Sequence, residues 1–259
     1  MKITTLIENT TIDPDLAAEH GLSLLIETGR HTILFDAGQT GAFADNAEKL
    51  GIDLNRVDFC ILSHGHYDHG GGLSRFLEAN DHAPVYLSRY AFGEYFSSGK
   101  YIGLDPNLEN NPRLIPVDDV LELAEGITLC SCNDLLRPFS FGVFGQSVRK
   151  NGIHQDDTYL HEQYLLIEDA GKKYCFSGCS HKGVLNILHW FLPDIFFGGF
   201  HFIRMDPHGR ELHDSLSQLV KFPTLYYTGH CTGQEQYAAL KDALCDRLSY
   251  LHTGSVITL

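Results

Sequence analysis

The sequence predicts a mixed α/β (α+β) fold in one domain spanning residues 1–259, and three observations carry that expectation. An apolar run at 57–62 reads as a buried strand and leads directly into Ser63-His64-Gly65-His66-Tyr67-Asp68-His69-Gly70-Gly71-Gly72. Strand-like and helix-like stretches alternate through the first 96 residues, the pattern of an α/β layer. A strand, glycine and histidine then recur at Gly198-Gly199-Phe200-His201 and at Gly229-His230, so ligand-type side chains are repeatedly set at the carboxyl ends of strands.

Taken in order, residues 2–8 read as a first strand, and 22–27 with 32–35 as a hairpin turning at Thr28-Gly29-Arg30. Asp36-Ala37-Gly38 closes that hairpin, and 46–50 ends a helix that Gly51 caps. The apolar period predicts a helix over 70–78 behind the histidine loop, a strand at 84–87 and a helical stretch over 89–96. From 97 to about 160 the pattern changes: short apolar runs at 113–117, 120–123 and 127–130 predict strands of a second sheet, separated by Gly, Pro and Asn clusters. The aromatic stretch Arg137-Pro138-Phe139-Ser140-Phe141-Gly142-Val143-Phe144-Gly145 has no period and fits a cover over a pocket. Its phenylalanines either stack on a planar ligand or anchor the loop to the core.

A second hairpin follows at 163–167 and 173–176, turning at Asp169-Ala170-Gly171. It delivers Gly178-Cys179-Ser180-His181 to a helix over 182–190 for which Ser180 is the expected cap. Strands at 194–200 and 224–228, a helix over 234–248 and a closing strand complete the chain.

Three imidazoles and a carboxylate fall between His64 and His69. Neutral imidazole and carboxylate are ligands for zinc, manganese or ferrous iron, and a tight loop after a strand turns such side chains toward one point. The stretch therefore predicts a metal site with room for two ions.

This motif resembles the signature of the metallo-β-lactamase fold. With Glu19-His20-Gly21-Leu22-Ser23, Leu34-Phe35-Asp36-Ala37-Gly38-Gln39, Gly178-Cys179-Ser180-His181, Gly198-Gly199-Phe200-His201 and Gly229-His230-Cys231-Thr232-Gly233, the chain looks most like the dihydropterin synthase-like metal-dependent hydrolase branch. The matching segments span almost the whole chain. The resemblance implies a four-layer αββα sandwich with the metals at one edge, between strand-end loops.

The resemblance also implies site roles. His64, His66 and His181 would hold a first ion, and Asp68, His69 and His230 a second. Asp36 would orient the ligands from behind. Many superfamily members carry an ion-bridging Asp where this chain has Cys179, which leaves ligation, proximity or packing open for that thiol. His161 and His154 are rival third ligands, because the usual third histidine precedes the second hairpin. Asp68 would also orient the attacking water, and His201 would stabilise developing charge, protonate a leaving group or serve only in packing. His189, His208, His213 and His252 lack a comparable context.

Composition narrows the function. With 33 acidic against 19 basic residues and a net charge of −14, the chain disfavours long nucleic acid as a partner. Seven cysteines without small-domain spacing argue against a disulfide framework, and the Met1-Lys2-Ile3-Thr4 start has no leader pattern, so a cytoplasmic location is expected. No Gly-x-Ser-x-Gly elbow supports a serine nucleophile. The expectation is a hydrolase with two divalent ions, zinc first and manganese or iron as alternatives. The resemblance implies a small anionic or phosphorylated, pterin-like substrate, with no membrane partner expected and with homo-oligomers allowed. A metal-binding ligand sensor of the same fold, or a phosphodiesterase or nuclease-type member, is the alternative. A diiron redox enzyme is disfavoured, because neither carboxylate-rich ligation nor a flavin module is evident.

Overall fold

The computed structural model describes all 259 residues. Two seven-stranded sheets pack face to face. The first has the order Val256–Thr258, Lys2–Ile7, Ser23–Glu27, Thr32–Phe35, Phe59–Ile61, Val85–Ser88, Leu114–Val117. The second runs Leu248–Tyr250, Leu225–Thr228, Ile195–Phe197, Lys172–Phe176, Tyr164–Asp169, Ile127–Cys130, Val120–Ala124.

The period-2 alternation of strands decides which core each residue enters. Ile33 and Phe35 face the second sheet while Leu34 faces the outer helices; Phe59 and Ile61 face inward while Cys60 faces outward. In the second sheet Tyr174, Phe176, Ile195 and Phe197 face inward, and Cys175 and Phe196 face outward. Both faces are therefore apolar, which explains the unbroken apolar runs of the inner strands. Phe176 and Phe197 stack at 4.9 Å in the central layer. Helices Ala42–Lys49 and Leu73–Ala79 cover the first sheet, and Val184–Phe191, Arg210–Leu219 and Gln234–Leu244 cover the second. This is the four-layer αββα sandwich, with one apolar core between each pair of layers. No helix is long and apolar enough to cross a membrane.

Several elements depart from the sequence reading. Residues 89–96 do not form a helix: Glu94–Ser97 is a strand, paired antiparallel with Gln146–Lys150. With Lys100–Tyr101 and Ile153–Asp156 it makes a third, four-stranded sheet inside the segment read as an irregular cover. The strand Leu114–Val117 joins the first sheet, parallel to Val85–Ser88, and not the second. Pairing with distant partners overrode local pattern in both places.

The helix expected over 70–78 is split into a turn, Tyr67–Gly70, and Leu73–Ala79. Gly71 and Gly72 press against the preceding loop so closely that a Cβ would meet the Gln39 and Ala37 carbonyl oxygens at 2.1 Å. Ser180 does not cap the next helix, which starts at Val184 after Gly183; its hydroxyl donates to the Gly199 carbonyl at 2.6 Å. The last long helix ends at Leu244, and Leu248–Tyr250 is an additional parallel strand.

In the aromatic loop, Phe141 packs on Phe144 at 5.3 Å and on Phe202 at 6.2 Å, against the outer core of the second sheet. The Phe139 amide donates to Asn186 Oδ1 at 2.9 Å. Anchoring, rather than an open stacking platform, is what these phenylalanines provide.

Candidate metal centre

The expected site residues converge at the sheet edge where the inner strands end. Asp36, Ser180, His201 and His230 all have left-handed backbones, with φ between 50° and 61°. Such conformations are costly for non-glycine residues and are found where the fold must turn a side chain to a fixed point. Here they lie at or near the carboxyl ends of Thr32–Phe35, Lys172–Phe176, Ile195–Phe197 and Leu225–Thr228.

Asp36 organises the first sheet's contribution. It is fully buried; its Oδ1 accepts the Ser63 amide at 2.7 Å and its Oδ2 the Ser63 hydroxyl at 2.8 Å. Oδ2 also accepts His69 Nδ1–H at 2.7 Å, while the Ser63 hydroxyl, its proton already given to Asp36, accepts His64 Nδ1–H at 2.8 Å. His64 is thereby held in the tautomer that leaves Nε2 with a free lone pair, while His69, which burial lowers but Asp36 and Asp68 raise to about 9, turns Nε2 to the site and would give up that proton to ligate. His230 is set the same way from the other sheet: Asn9 Oδ1 accepts its Nδ1–H at 2.9 Å and Glu8 Oε1 its amide at 2.6 Å.

The free nitrogens meet in two clusters. His64 Nε2 and His181 Nε2 are 3.2 Å apart, with the His66 ring 4.6 Å from that of His64 and 4.8 Å from that of His181. His69 Nε2 lies 3.2 Å from His230 Nε2, and Asp68 Oδ2 lies 3.3 Å from the same His230 nitrogen. Cys179 connects them, since its thiol is grouped within 4.8 Å both with His64 and His181 and with His69 and His230. Its Sγ is 3.2 Å from His69 Nε2.

These residues fit divalent ions. Zn–N bonds of about 2.0–2.1 Å place two ligands of one tetrahedral ion roughly 3.3 Å apart. Buried imidazoles with lone pairs turned on one another would otherwise be unsatisfied, and His66 Nε2 and His181 Nδ1 are buried with no hydrogen-bond partner. Burial, reinforced by neighbouring imidazoles, holds His64, His66 and His181 well below the usual histidine range, in the neutral form a metal requires. Burial pushes Asp68 up, but His69, His20 and His230 outweigh it and keep the carboxyl ionised. Burial pushes the Cys179 thiol well up, so it would have to lose a proton to ligate.

The rival ligands His161 and His154 have other partners. His161 is fully buried, but both ring nitrogens are engaged: Nδ1 accepts the Gly65 amide at 2.9 Å and Nε2 is 3.1 Å from Asp157 Oδ2. It braces the loop from behind and has no lone pair to give. His154 is exposed on the third sheet, 3.3 Å from Ser147 Oγ and packed on Phe96 at 4.6 Å. His201 reaches the cluster, its ring 4.4 Å from His181 and 5.6 Å from Phe144, with Nδ1 buried and without a partner.

Two further residues belong to the site that sequence reasoning did not single out. His20 Nε2 is 3.3 Å from Asp68 Oδ2, with its ring 4.7 Å from that of His230 and its side chain half exposed. Glu162 is buried and accepts the amides of His181 at 2.6 Å and Lys182 at 2.9 Å and the Tyr164 hydroxyl at 2.6 Å. The Gly-flanked His20 was the available signal for the first; Glu162 had none, because it acts on backbone 19 residues away.

Above the cluster opens a cavity of about 570 Å³ with His66, Asp68, Cys179, His181, His201 and His230 in its wall. The third sheet forms another wall.

Comparison with known proteins bears on the fold that carries this site. The family model for the metallo-β-lactamase superfamily matches residues 17–128. An uncharacterized protein of Methanocaldococcus jannaschii is 27% identical over 265 residues, covering 98% of this chain and 99% of the other. The 7,8-dihydropterin-6-methyl-4-(β-D-ribofuranosyl)-aminobenzene-5′-phosphate synthase of the same organism is 27% identical over 288 residues, 99% of this chain and 96% of the synthase. A crystal structure described as a metal-dependent hydrolase of the β-lactamase superfamily superposes with a TM-score of 0.84 at 26% identity, over 100% of this chain and 99% of the other. The chain thus has the fold of the metallo-β-lactamase superfamily, and its domain match and its full-length structural likeness are to proteins of that superfamily.

Proposed function

We propose that the protein is a metal-dependent hydrolase of a small anionic, phosphorylated molecule, with a first ion held by His64, His66 and His181 and a second by Asp68, His69 and His230. The observation that carries the reading is the pair of 3.2 Å contacts between ring nitrogens, His64 to His181 and His69 to His230, at one buried sheet edge. That separation is the one two ligands of a single tetrahedral ion adopt. Cys179, placed between the two clusters, is a further candidate ligand.

Divalent ions bound there, zinc in the first instance, would supply a hydrolytic nucleophile at neutral pH and polarise an ester or phosphoester oxygen. Asp36 and Asn9 fix the tautomers of the ligand histidines through their Nδ1–H groups. Asp68, ionised and joined to His20 and His230, is the carboxylate placed to orient the attacking water. His201 lines the cavity and is our candidate for stabilising developing charge or protonating a leaving group. Support for a phosphorylated, pterin-like substrate comes from the full-length likeness to a synthase whose name carries a dihydropterin and a 5′-phosphate.

The test is metal content by mass spectrometry on protein purified without added metal, for wild type, His181→Ala, His161→Ala and His230→Ala. Close to two ions per chain, reduced by the first and third substitutions and not by the second, is expected. A wild type that holds no metal and takes none up defeats the hydrolase reading.

A further inference from the structure

The cavity mouth carries a charge pattern that the metal cluster does not explain. The chain is strongly acidic, yet the only carboxylate in the cavity wall is Asp68, already engaged by His20 and His230 at 3.3 Å each. The same wall contains two basic side chains, Lys100 and Arg204. Neither forms an ion pair, although Arg149, on the same third sheet as Lys100, is paired with Glu94.

Backbone geometry brings the two cations together. Ser98 and Gly99 both have positive φ, 49° and 79°, and form the tight turn that sets Ser97 directly opposite Lys100. The Ser97 hydroxyl accepts Arg204 Nη2–H at 3.1 Å, and the Phe144 carbonyl accepts from Arg204 Nη1. The guanidinium is thus held between the turn and the aromatic loop by neutral partners, three residues beyond His201, with donors left over. Both cations therefore line one cavity with no acid paired to either, a lining that favours an anionic ligand.

We propose that Lys100 and Arg204 form an oxyanion clamp for the phosphate-monoester group of the substrate, with the Ser97 and Ser98 hydroxyls and the Gln146 amide beside it. An Arg fork with an ammonium point charge is the donor set that suits a phosphate. The clamp residues and the metal-ligand residues are different side chains lining one cavity, so the substrate has an anionic end distinct from the bond cleaved. The assignment rests on the hydrolase reading for its biological role but stands on separate residues.

The test is calorimetric titration of inorganic phosphate, at low ionic strength, into the chain as purified, with metal content measured on the same samples. The variants are Lys100→Gln, Arg204→Gln and His230→Ala. Lys100→Gln removes an exposed ammonium that makes no hydrogen bond or ion pair within the protein, and a melting curve controls for folding in both cation variants. The expected result is phosphate binding weakened about tenfold or more in each cation variant at unchanged metal content, and retained in His230→Ala. Affinity within twofold of wild type in both cation variants overturns the clamp, as does binding lost in His230→Ala but intact in them. If wild type holds no metal yet the cation variants lose phosphate, the clamp stands and the hydrolase reading falls.

Discussion

His181 Nε2 lies 3.2 Å from His64 Nε2 although 117 residues separate them and they belong to different sheets. Tyr159 stacks on the His181 ring at 4.7 Å with an interplanar angle of 12°, and Glu162 holds the His181 amide. The imidazole is therefore fixed on its face and through its backbone before any ion binds.

His181→Ala is expected to remove about one ion per chain, with hydrolytic activity falling at least 100-fold by the general cost of losing ligand geometry. His161→Ala is expected to keep its metal and to lose about 2–4 kcal/mol of stability instead, because a buried, doubly bonded ring is deleted. Metal analysis and denaturant unfolding on the two variants separate the roles; equal metal loss in both would contradict the assignment.

Asp36→Asn replaces the acceptor shared by His69 and Ser63 with a group that can present an N–H to one of them. Metal affinity should weaken 10–100-fold, as is typical when a carboxylate behind a ligand histidine is lost. Competition with a chelating dye measures it, and an unchanged dissociation constant would show that Asp36 does not orient the ligands.

Stability of the metal-stripped protein should peak near neutrality. His64, His66 and His181 titrate well below their unfolded value near 6.5, so below that pH the unfolded chain binds protons that the folded chain does not. Each of the three contributes up to about 1.4 kcal/mol of lost stability per pH unit as pH falls. For His69, burial lowers and Asp36 and Asp68 raise, with a net value of about 9. Its stabilisation is fully present below about 6.5 and is lost as pH rises toward 9. Thermal melts of chelator-treated protein from pH 5 to 9 should show the maximum, and bound zinc should flatten the acid side by keeping the ligands deprotonated. A melting temperature that rises steadily from pH 7 to 5 would refute this.

Glu162→Gln leaves the shape but removes the charge that receives two amides and a phenol. A loss of about 1–3 kcal/mol is expected, since hydrogen bonds to a buried charged group are worth more than neutral ones. The ion at His181 should bind more weakly because that residue's backbone is no longer pinned. Urea unfolding with parallel metal titration tests both, and unchanged stability would remove Glu162 from the framework of the site.

The sandwich's inner strands and the local half of the candidate site were legible in the sequence. Apolar runs such as 57–62 and the doubled hairpins are legible because both faces of each inner strand are buried. His64, His66, Asp68 and His69 are legible because they fall within six residues, where chain connectivity alone keeps them close. His181 and His230 stood out by their strand-end context, and the family resemblance implied their role as ligands. That His181 turns its ring to His64 while His161 spends both nitrogens on Gly65 and Asp157 was decided by loop geometry that local pattern does not encode. The third sheet, the transfer of Leu114–Val117 to the first sheet and the placing of Lys100 and Arg204 in the lining of one cavity likewise come from long-range packing. Strand pairing is satisfied by backbone groups far along the chain. A short segment such as 94–97 therefore takes its conformation from the partner it finds, not from its own period.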